Sequence, residues 1–217
     1  MSTAMVDALA RLHRVDYATA GLSDIGKAAG FMKRQVRGWA QAYHRSKETG
    51  LDGMKDLIQW LKDQLPERAN ESIVHNDWRL DNLMLDDADP GRVVAVFDWD
   101  MCTLGEPLAD VGTMLTLWME ADEDRDSDLA SVMPSWTPGF LTRREAVDRY
   151  GEQSGLDVSD MRYFFAFGLF KMGIIAQQIY IRFKTGQSQD QRFAVFGKGA
   201  ALLWRRAIAM AAGDGRL

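Results

Sequence analysis

Three polar residues near the middle of the chain have the types and spacing that phosphoryl transfer requires. Asp77 and Asn82 belong to segment 75–82 (HNDWRLDN), and Asp98 follows the apolar segment 92–97 (RVVAVF). When Mg²⁺ assists phosphoryl transfer, one carboxylate orients the attacking hydroxyl and accepts its proton, while a second carboxylate and an amide oxygen hold metal. We therefore interpret Asp77 as a candidate catalytic base, and Asn82 and Asp98 as candidate Mg²⁺ ligands.

Arg79, two positions after Asp77, leaves two interpretations open. Its guanidinium could reach the transferred phosphate and act in catalysis, or it could form an ion pair with Asp81 or Asp110. The candidate base and metal ligands also have simpler interpretations, as residues of a polar turn or of a strand end. The spacing of the whole set favours the chemical interpretation.

Three further residues are predicted to support these groups. His75 is predicted to shape the loop rather than to react. Asp100 either supports the metal ligands or is exposed to solvent. Asp110 follows Pro107, which is favoured at the first position of a helix. Its carboxylate could accept backbone N–H bonds from the loop, complement the helix dipole, or do both.

The motifs resemble those of a known enzyme family. The spacing H-x-D-x-x-x-x-N, followed by Asp-Trp-Asp at 98–100, is similar to the aminoglycoside phosphotransferase and choline kinase-like family. Segments 9–16 (LARLHRVD) and 105–110 (GEPLAD) agree with this resemblance. Segment 167–186 resembles most closely the branch whose members occur alone in bacteria or fused to acyl-CoA dehydrogenases.

One residue departs from the family pattern. The family usually has Gly between the His and the Asp of this motif, and this chain has Asn76. If the position requires a positive φ, Asn is among the residues other than Gly that tolerate it best. The substitution is therefore expected to preserve the geometry of the loop.

The resemblance implies both a fold and an activity. The fold is α+β and mostly helical, the C-terminal lobe of a protein-kinase-like fold, with a small β element that carries the catalytic loop. The activity is ATP-dependent transfer of a phosphoryl group to the hydroxyl of a small molecule, with Mg²⁺ as cofactor and ATP as co-substrate. Such kinases also have a smaller lobe with a Gly-rich loop and a strand Lys.

The sequence before His75 contains neither of these small-lobe patterns. We therefore expect the N-terminal nucleotide-binding lobe to be absent and the chain to be a single large lobe. Its expected parts are a helical segment (1–70), the catalytic loop with its metal-binding β element (71–104), and a helical subdomain (105–217).

Composition restricts the other possible functions. The chain has 26 basic and 31 acidic residues among 217, which argues against binding to nucleic acid. A single cysteine, Cys102, and the lack of a secretory signal suggest the cytoplasm. The apolar segment 163–183 is interrupted by charged and amide side chains, so we interpret it as a buried helix, with no membrane partner.

Hydrophobic periodicity and turn residues predict the elements that position the site. Predicted helices occupy 1–14, 30–50, 54–65 and 107–119, with Gly50 as the cap of the second, and short strands occupy 72–74, 83–85 and 92–97. Capping-box spacings at Thr142 and Ser188 predict the starts of two more helices.

Two other functions stay open. The chain could be a catalytically inactive large-lobe fragment that acts as a binding or oligomerising module, or a metal-dependent hydrolase. The acidic segment 120–128 could dock a cationic substrate or simply be a solvated loop. Because a missing lobe would expose apolar surface, we expect a homodimer that buries Met5, Leu9 and Leu12.

Overall fold

The fold is mostly helical, as predicted, with a small amount of β structure. A computed structural model describes residues 1–46, 51–67, 69–123 and 133–217. The described helices are α1 (Ser2–His13), α2 (Phe31–Arg45), α3 (Met54–Asp63), α4 (Pro107–Thr116), α5 (Arg143–Ser154), α6 (Met161–Lys184) and α7 (Phe196–Ala212). The strands are β1 (Ser72–Val74), β2 (Leu83–Leu85), β3 (Val93–Val96) and β4 (Thr103–Gly105).

The strands form two antiparallel pairs that hold the candidate site between them. In the first pair β1 faces β4, with Ile73 opposite Leu104. In the second pair β2 faces β3, with Leu83 opposite Val96 and a register shift after Met84. The predicted catalytic loop (75–82) connects β1 to β2, so it lies where the two pairs meet.

Helix α6 forms the centre of the core. Its side chains Phe164, Phe165, Phe167 and Phe170 are almost completely buried. By length and composition α6 could span a membrane, but 67% of its most apolar 18-residue window is buried inside the protein. This burial supports the interpretation of the segment as a core helix.

Two glycines allow α4 and α6 to cross closely. A Cβ atom at Gly168 would lie 2.5 Å from the carbonyl oxygen of Gly112. Real Cβ atoms do not approach a backbone oxygen so closely, so this crossing requires a residue without a side chain. The crossing fixes α4, which carries Asp110, against the core.

Most predicted helices are present, but one predicted start is wrong. Thr142 begins α5 through the expected capping box with Glu145. At the Ser188 position, Asp190 instead caps a short 3₁₀ segment (Gln191–Val195), and α7 begins only at Phe196. The second helix ends at Arg45, and the predicted cap Gly50 lies outside the described residues.

The prediction that α1 is exposed is wrong. Met5 and Leu9 have no exposed surface and Leu12 is half-buried, because α1 packs against α5 and the strands. Exposed large apolar side chains occur instead around the candidate site, at Met84, Val94, Phe97, Trp99 and Met101.

Candidate functional site

The catalytic loop is held in shape by the buried carboxylate of Asp110. Its Oδ2 accepts the backbone N–H of His75 at 2.6 Å, and its Oδ1 accepts that of Asn76 at 2.7 Å. Asn76 has a φ of 65°, so the loop does require the left-handed conformation that the sequence suggested for this position. Asp110 therefore accepts backbone N–H bonds from the loop, which is one of the two roles that the sequence left open.

His75 connects the loop to the end of β3. Its Nδ1 accepts the backbone N–H of Asp77 at 3.3 Å, and its Nε2 lies 2.9 Å from the carbonyl oxygen of Phe97. With Nδ1 as acceptor, the hydrogen of the neutral ring is on Nε2 and is donated to that carbonyl. The predicted role of His75 in shaping the loop agrees with these contacts.

Asn82 lies directly against Asp77. Its Nδ2 donates to the backbone carbonyl of Asp77 at 2.8 Å and to the Oδ2 of the same residue at 2.9 Å. Because the amide nitrogen makes both bonds, the side-chain carbonyl oxygen of Asn82 takes part in neither. The backbone N–H of Phe97 donates to the carbonyl of Asn82 at 2.8 Å, which brings Asp98 beside Asn82.

Asp98 has a backbone conformation that an aspartate rarely adopts. Its φ is 60°, its side chain is exposed, and its carboxylate accepts no hydrogen bond from the described residues. Strained positions of this kind cluster at functional sites. The left-handed conformation ends the extended run of β3 close to the catalytic loop.

The available oxygens fit a magnesium ion better than a transition metal. Mg²⁺ commonly takes only one or two protein carboxylates and completes its shell with phosphate oxygens and water. Asp98 offers a free carboxylate and Asn82 a free amide oxygen. In the described part of the chain, no group of three or more His, Cys, Asp or Glu is placed to hold a metal ion.

Arg79 forms an ion pair with Asp81, and Asp100 is exposed to solvent. The Nη2 of Arg79 lies 2.6 Å from Asp81 Oδ2, which is one of the ion pairs that the sequence allowed. Its Nε is buried and finds no acceptor among the described residues. Asp100 is exposed and accepts no hydrogen bond within the described ranges, which agrees with its solvent-exposed interpretation.

Sequence reasoning missed His13 and Lys171, two residues that act on Asp110 or on the loop that it holds. The Nε2 of His13 on α1 lies 3.3 Å from Asp110 Oδ2, and its Nδ1 lies 2.7 Å from the hydroxyl of Tyr150. Burial alone would raise the pKa of Asp110. The hydrogen bond and charge of His13, the N–H of His75 and the charge of Lys171 outweigh it and hold this pKa below its usual value.

Lys171 on α6 is the second missed residue. It is only 3% exposed, and its Nζ donates to the backbone carbonyl of Asn76 at 3.3 Å. Burial lowers the pKa of its amine, against the opposing charges of Asp110 and Asp77. The only signal in the sequence was a lysine inside an apolar helix, which suggests a buried partner for its charge.

The acidic segment 120–128 does not offer a free docking surface in its described part. Glu123 binds Arg143 through both carboxylate oxygens at 2.6 Å, and Arg206 approaches it at 2.9 Å. Asp122 pairs with Arg216. These acids are engaged within the protein, and residues 124–128 lie outside the described residues.

Comparison with known proteins identifies the family. The model of the phosphotransferase enzyme family matches residues 1–147, and the chain belongs to this family. Mouse acyl-CoA dehydrogenase family member 10 is 32% identical over 203 residues, which are 90% of this chain and 18% of that protein. Human acyl-CoA dehydrogenase family member 11 is 30% identical over 198 residues, 89% of this chain and 25% of that protein. The predicted family and branch are confirmed, and the chain spans a quarter or less of these relatives.

Solved structures show the same fold. A provisionally assigned aminoglycoside phosphotransferase from Ralstonia eutropha aligns with a TM-score of 0.83 and 28% identity, covering 98% of this chain and 65% of that one. An ethanolamine kinase from Plasmodium vivax aligns with a TM-score of 0.55 and 12% identity, covering 95% and 60%. The second likeness supports the fold alone.

Proposed function

We propose that this chain is the large lobe of an ATP-dependent O-phosphotransferase that acts on a small-molecule hydroxyl. The observation that carries the proposal is the 2.9 Å hydrogen bond from Asn82 to the carboxylate of Asp77, with Asp98 beside Asn82. This bond joins the candidate base to one candidate metal ligand, and the backbone bond from Phe97 to Asn82 brings the second ligand, Asp98, close to the first. Phosphoryl transfer requires little more from protein groups than such positioning and charge neutralisation.

Each side chain has a distinct role in this proposal. Asn82 occupies Oδ2 of Asp77, so Oδ1 is available to orient the substrate hydroxyl. As the hydroxyl oxygen forms its bond to the γ-phosphorus, the bond from that phosphorus to ADP breaks and the proton passes to Asp77. Mg²⁺, when bound by Asn82 and Asp98, would neutralise charge on the phosphate oxygens. The unsatisfied Nε of Arg79 favours a second orientation of this side chain, towards the phosphate.

We also propose that the residues that clamp ATP are not among these 217. Two observations support this: no small-lobe pattern precedes His75, and the Ralstonia eutropha structure extends well beyond the aligned part. Loss of one preorganised donor typically costs about 10² to 10³ in rate. The isolated chain is therefore expected to transfer little or no phosphate. A cytoplasmic location remains part of this proposal.

Transfer of labelled γ-phosphate from ATP to a panel of hydroxyl compounds tests the chemistry, with Asp77→Asn as the test variant. Any transfer is expected to disappear in this variant and to persist in the control Asp87→Ala, which removes an exposed carboxylate from the turn between β2 and β3. Transfer that survives Asp77→Asn would refute the assignment of the base. Robust transfer by the unmodified chain that requires Asp77 would instead refute the proposed incompleteness.

Metal binding tests the site independently of turnover. Paramagnetic broadening of NMR signals by Mn²⁺ is expected to be weak, because no phosphates complete the metal shell. It is expected to centre on Asn82 and Asp98, to vanish in Asp98→Ala, and to persist in Asp87→Ala. Unchanged broadening in Asp98→Ala would place the metal elsewhere.

The alternative is an inactive large-lobe fragment that acts as a binding or oligomerising module. The exposed apolar side chains of Phe97, Trp99 and Met101 favour this function, because they surround the candidate site. The alternative would gain support if neither phosphate transfer nor Mn²⁺ binding depended on Asp77 or Asp98.

A further inference from the structure

A cleft between α2 and α6 adjoins the catalytic loop. Its volume is about 540 Å³, and its lining includes Asn76, the residue immediately before Asp77. Clefts that bind small molecules typically have volumes of about 300 to 1,000 Å³. The cleft is therefore large enough for a metabolite, and it lies beside the proposed base.

The charge of the cleft is positive. Arg34 and Arg45 line it from α2, and Lys171 lines it from α6. No carboxylate occurs among the described residues that line it. The guanidinium of Arg34 donates to the backbone carbonyls of Lys27 and Ala29, which hold the group in place without neutralising its charge.

Lys171 lines the cleft beside the catalytic loop, where the charges of Asp110 and Asp77 oppose its own. It is 3% exposed, so its amine is largely removed from water, and its bond to the carbonyl of Asn76 fixes it against the catalytic loop. A lysine amine has three donors. One donor is used by the carbonyl of Asn76, so the amine can also donate to an anionic group of a bound molecule.

Gly38 is an independent sign that the cleft is kept open. It lies inside α2 and lines the cleft, yet a Cβ atom there would meet nothing within 4 Å. Glycine destabilises a helix relative to alanine, and here no close packing requires it. The absence of a side chain widens the cleft between Arg34 and Arg45, which lie on the same face of the helix.

We infer that this cleft binds an anionic acceptor, a hydroxyl compound that also carries a phosphate ester or carboxylate. A cationic sugar would face the like charges of Arg34 and Arg45, which no carboxylate among the described lining residues offsets. That the bound anion receives the phosphate rests on the proposed function. That the cleft binds an anion does not depend on it. Binding and phosphate transfer are therefore measured separately.

Four probes on one sugar scaffold test the charge preference. These are glucose 6-phosphate, gluconate, glucose and glucosamine, with binding to the unmodified chain followed by calorimetry and ligand-observed NMR. At least one anionic probe is expected to bind about tenfold more tightly than glucose, which corresponds to one charge-assisted hydrogen bond. The stronger anion identifies phosphate or carboxylate as the preferred group. Equal or tighter binding of glucosamine, or no binding of either anion, would overturn the inference.

Matched variants locate the binding. Arg34→Gln is expected to weaken the preferred anion about tenfold, whereas Arg37→Gln removes the same charge from an exposed position outside the cleft lining and is expected to change nothing. Gly38→Met is expected to abolish binding while retaining or raising the melting temperature, because methionine favours the helix and fills the space. Equal losses in the two arginine variants would show non-specific attraction and refute the site. Anion binding is measured without ATP and does not require phosphate transfer, so failure of the proposed transfer leaves this result unaffected.

Discussion

At the scale of single residues, the left-handed conformation of Asn76 is the feature that shapes the catalytic loop. Its side chain donates to the carbonyl of Met101, so both Asn76→Gly and Asn76→Ala lose this bond. Only alanine retains the steric cost of a positive φ, about 1 to 2 kcal/mol. We expect Asn76→Ala to be less stable than Asn76→Gly by about that amount in urea unfolding. Equal stabilities would show that the backbone relaxes without cost.

Asp110 makes stability depend on pH with a definite sign. Its pKa is lower in the folded protein than its ordinary value. Such a carboxyl stabilises the fold above the unfolded pKa of about 3.9, and the contribution is lost as the pH falls through the folded value. We expect Asp110→Asn to cost about 3 kcal/mol near neutral pH, because it breaks a buried network, and clearly less near pH 3.

Denaturant unfolding at both pH values checks this prediction. The control is Asp148→Asn, whose carboxylate pairs with Arg144 at an exposed position and which is expected to change stability by less than about 1 kcal/mol. If Asp110→Asn lowers the free energy of unfolding equally at both pH values, the network stabilises the fold through packing and hydrogen bonding rather than through the charge of Asp110.

The sequence could predict the residues of the site that lie close together along the chain. Asp77 and Asn82 share one loop, and their spacing alone indicated their relation. His13 and Lys171 could not be predicted in the same way. They lie 97 positions from Asp110 and 95 positions from Asn76, so only the packing of α1, α4 and α6 brings them to the loop. A charged residue inside an apolar helix indicated that Lys171 has a buried partner, but the sequence did not predict which residue that partner is.

At the scale of elements, the crossing of α4 and α6 determines where Asp110 lies. Gly168→Ala would place a Cβ atom 2.5 Å from the carbonyl oxygen of Gly112, which cannot move aside as a side chain would. We expect this change to destabilise the protein by about 1 to 3 kcal/mol, as overpacking does. The control is Gly38→Ala in α2, which meets nothing and is expected to stabilise by up to about 1 kcal/mol. Thermal unfolding of both variants distinguishes a packing requirement from helix propensity. Equal effects of the two substitutions would contradict a packing requirement at Gly168.

Element boundaries were predictable where one local signal dominated. The reciprocal hydrogen bonds of Thr142 and Glu145 begin α5 as the sequence indicated. Near Ser188 two signals compete, and Asp190 caps the chain instead by accepting the backbone N–H of Arg192. The following segment is 3₁₀ rather than α, so the helix starts later. The spacing of capping residues alone does not predict which of two neighbouring residues caps the segment.

At the scale of the whole molecule, the amphipathic pattern of α1 did not reveal what covers its apolar face. The pattern identified Met5 and Leu9 as one face, and the sequence offered no reason to pair it with α5, far along the chain. In the structure Arg149 of α5 binds Asp7 of α1 through two bonds of 2.7 Å, beside this buried contact. The prediction of an exposed helix was wrong because its partner is non-local.

Self-association remains expected, but through a different surface. Met84, Val94, Phe97, Trp99 and Met101 are each more than two-fifths exposed and belong to one stretch of chain around the candidate site. Exposed apolar groups that cluster on a soluble protein tend to mark interfaces, and a two-fold dimer is the simplest closed assembly.

Light scattering on a size-exclusion column tests this expectation at tens of micromolar protein. We expect a dimer for the unmodified chain and a monomer for the double variant Met84→Lys and Val94→Lys, because buried lysines without partners oppose association. Leu202→Lys is the control, since Leu202 is also exposed but lies on α7, away from this stretch, and the dimer should persist. A monodisperse monomer of the unmodified chain would refute self-association. A dimer that survives the double variant but not the control would move the interface to α7.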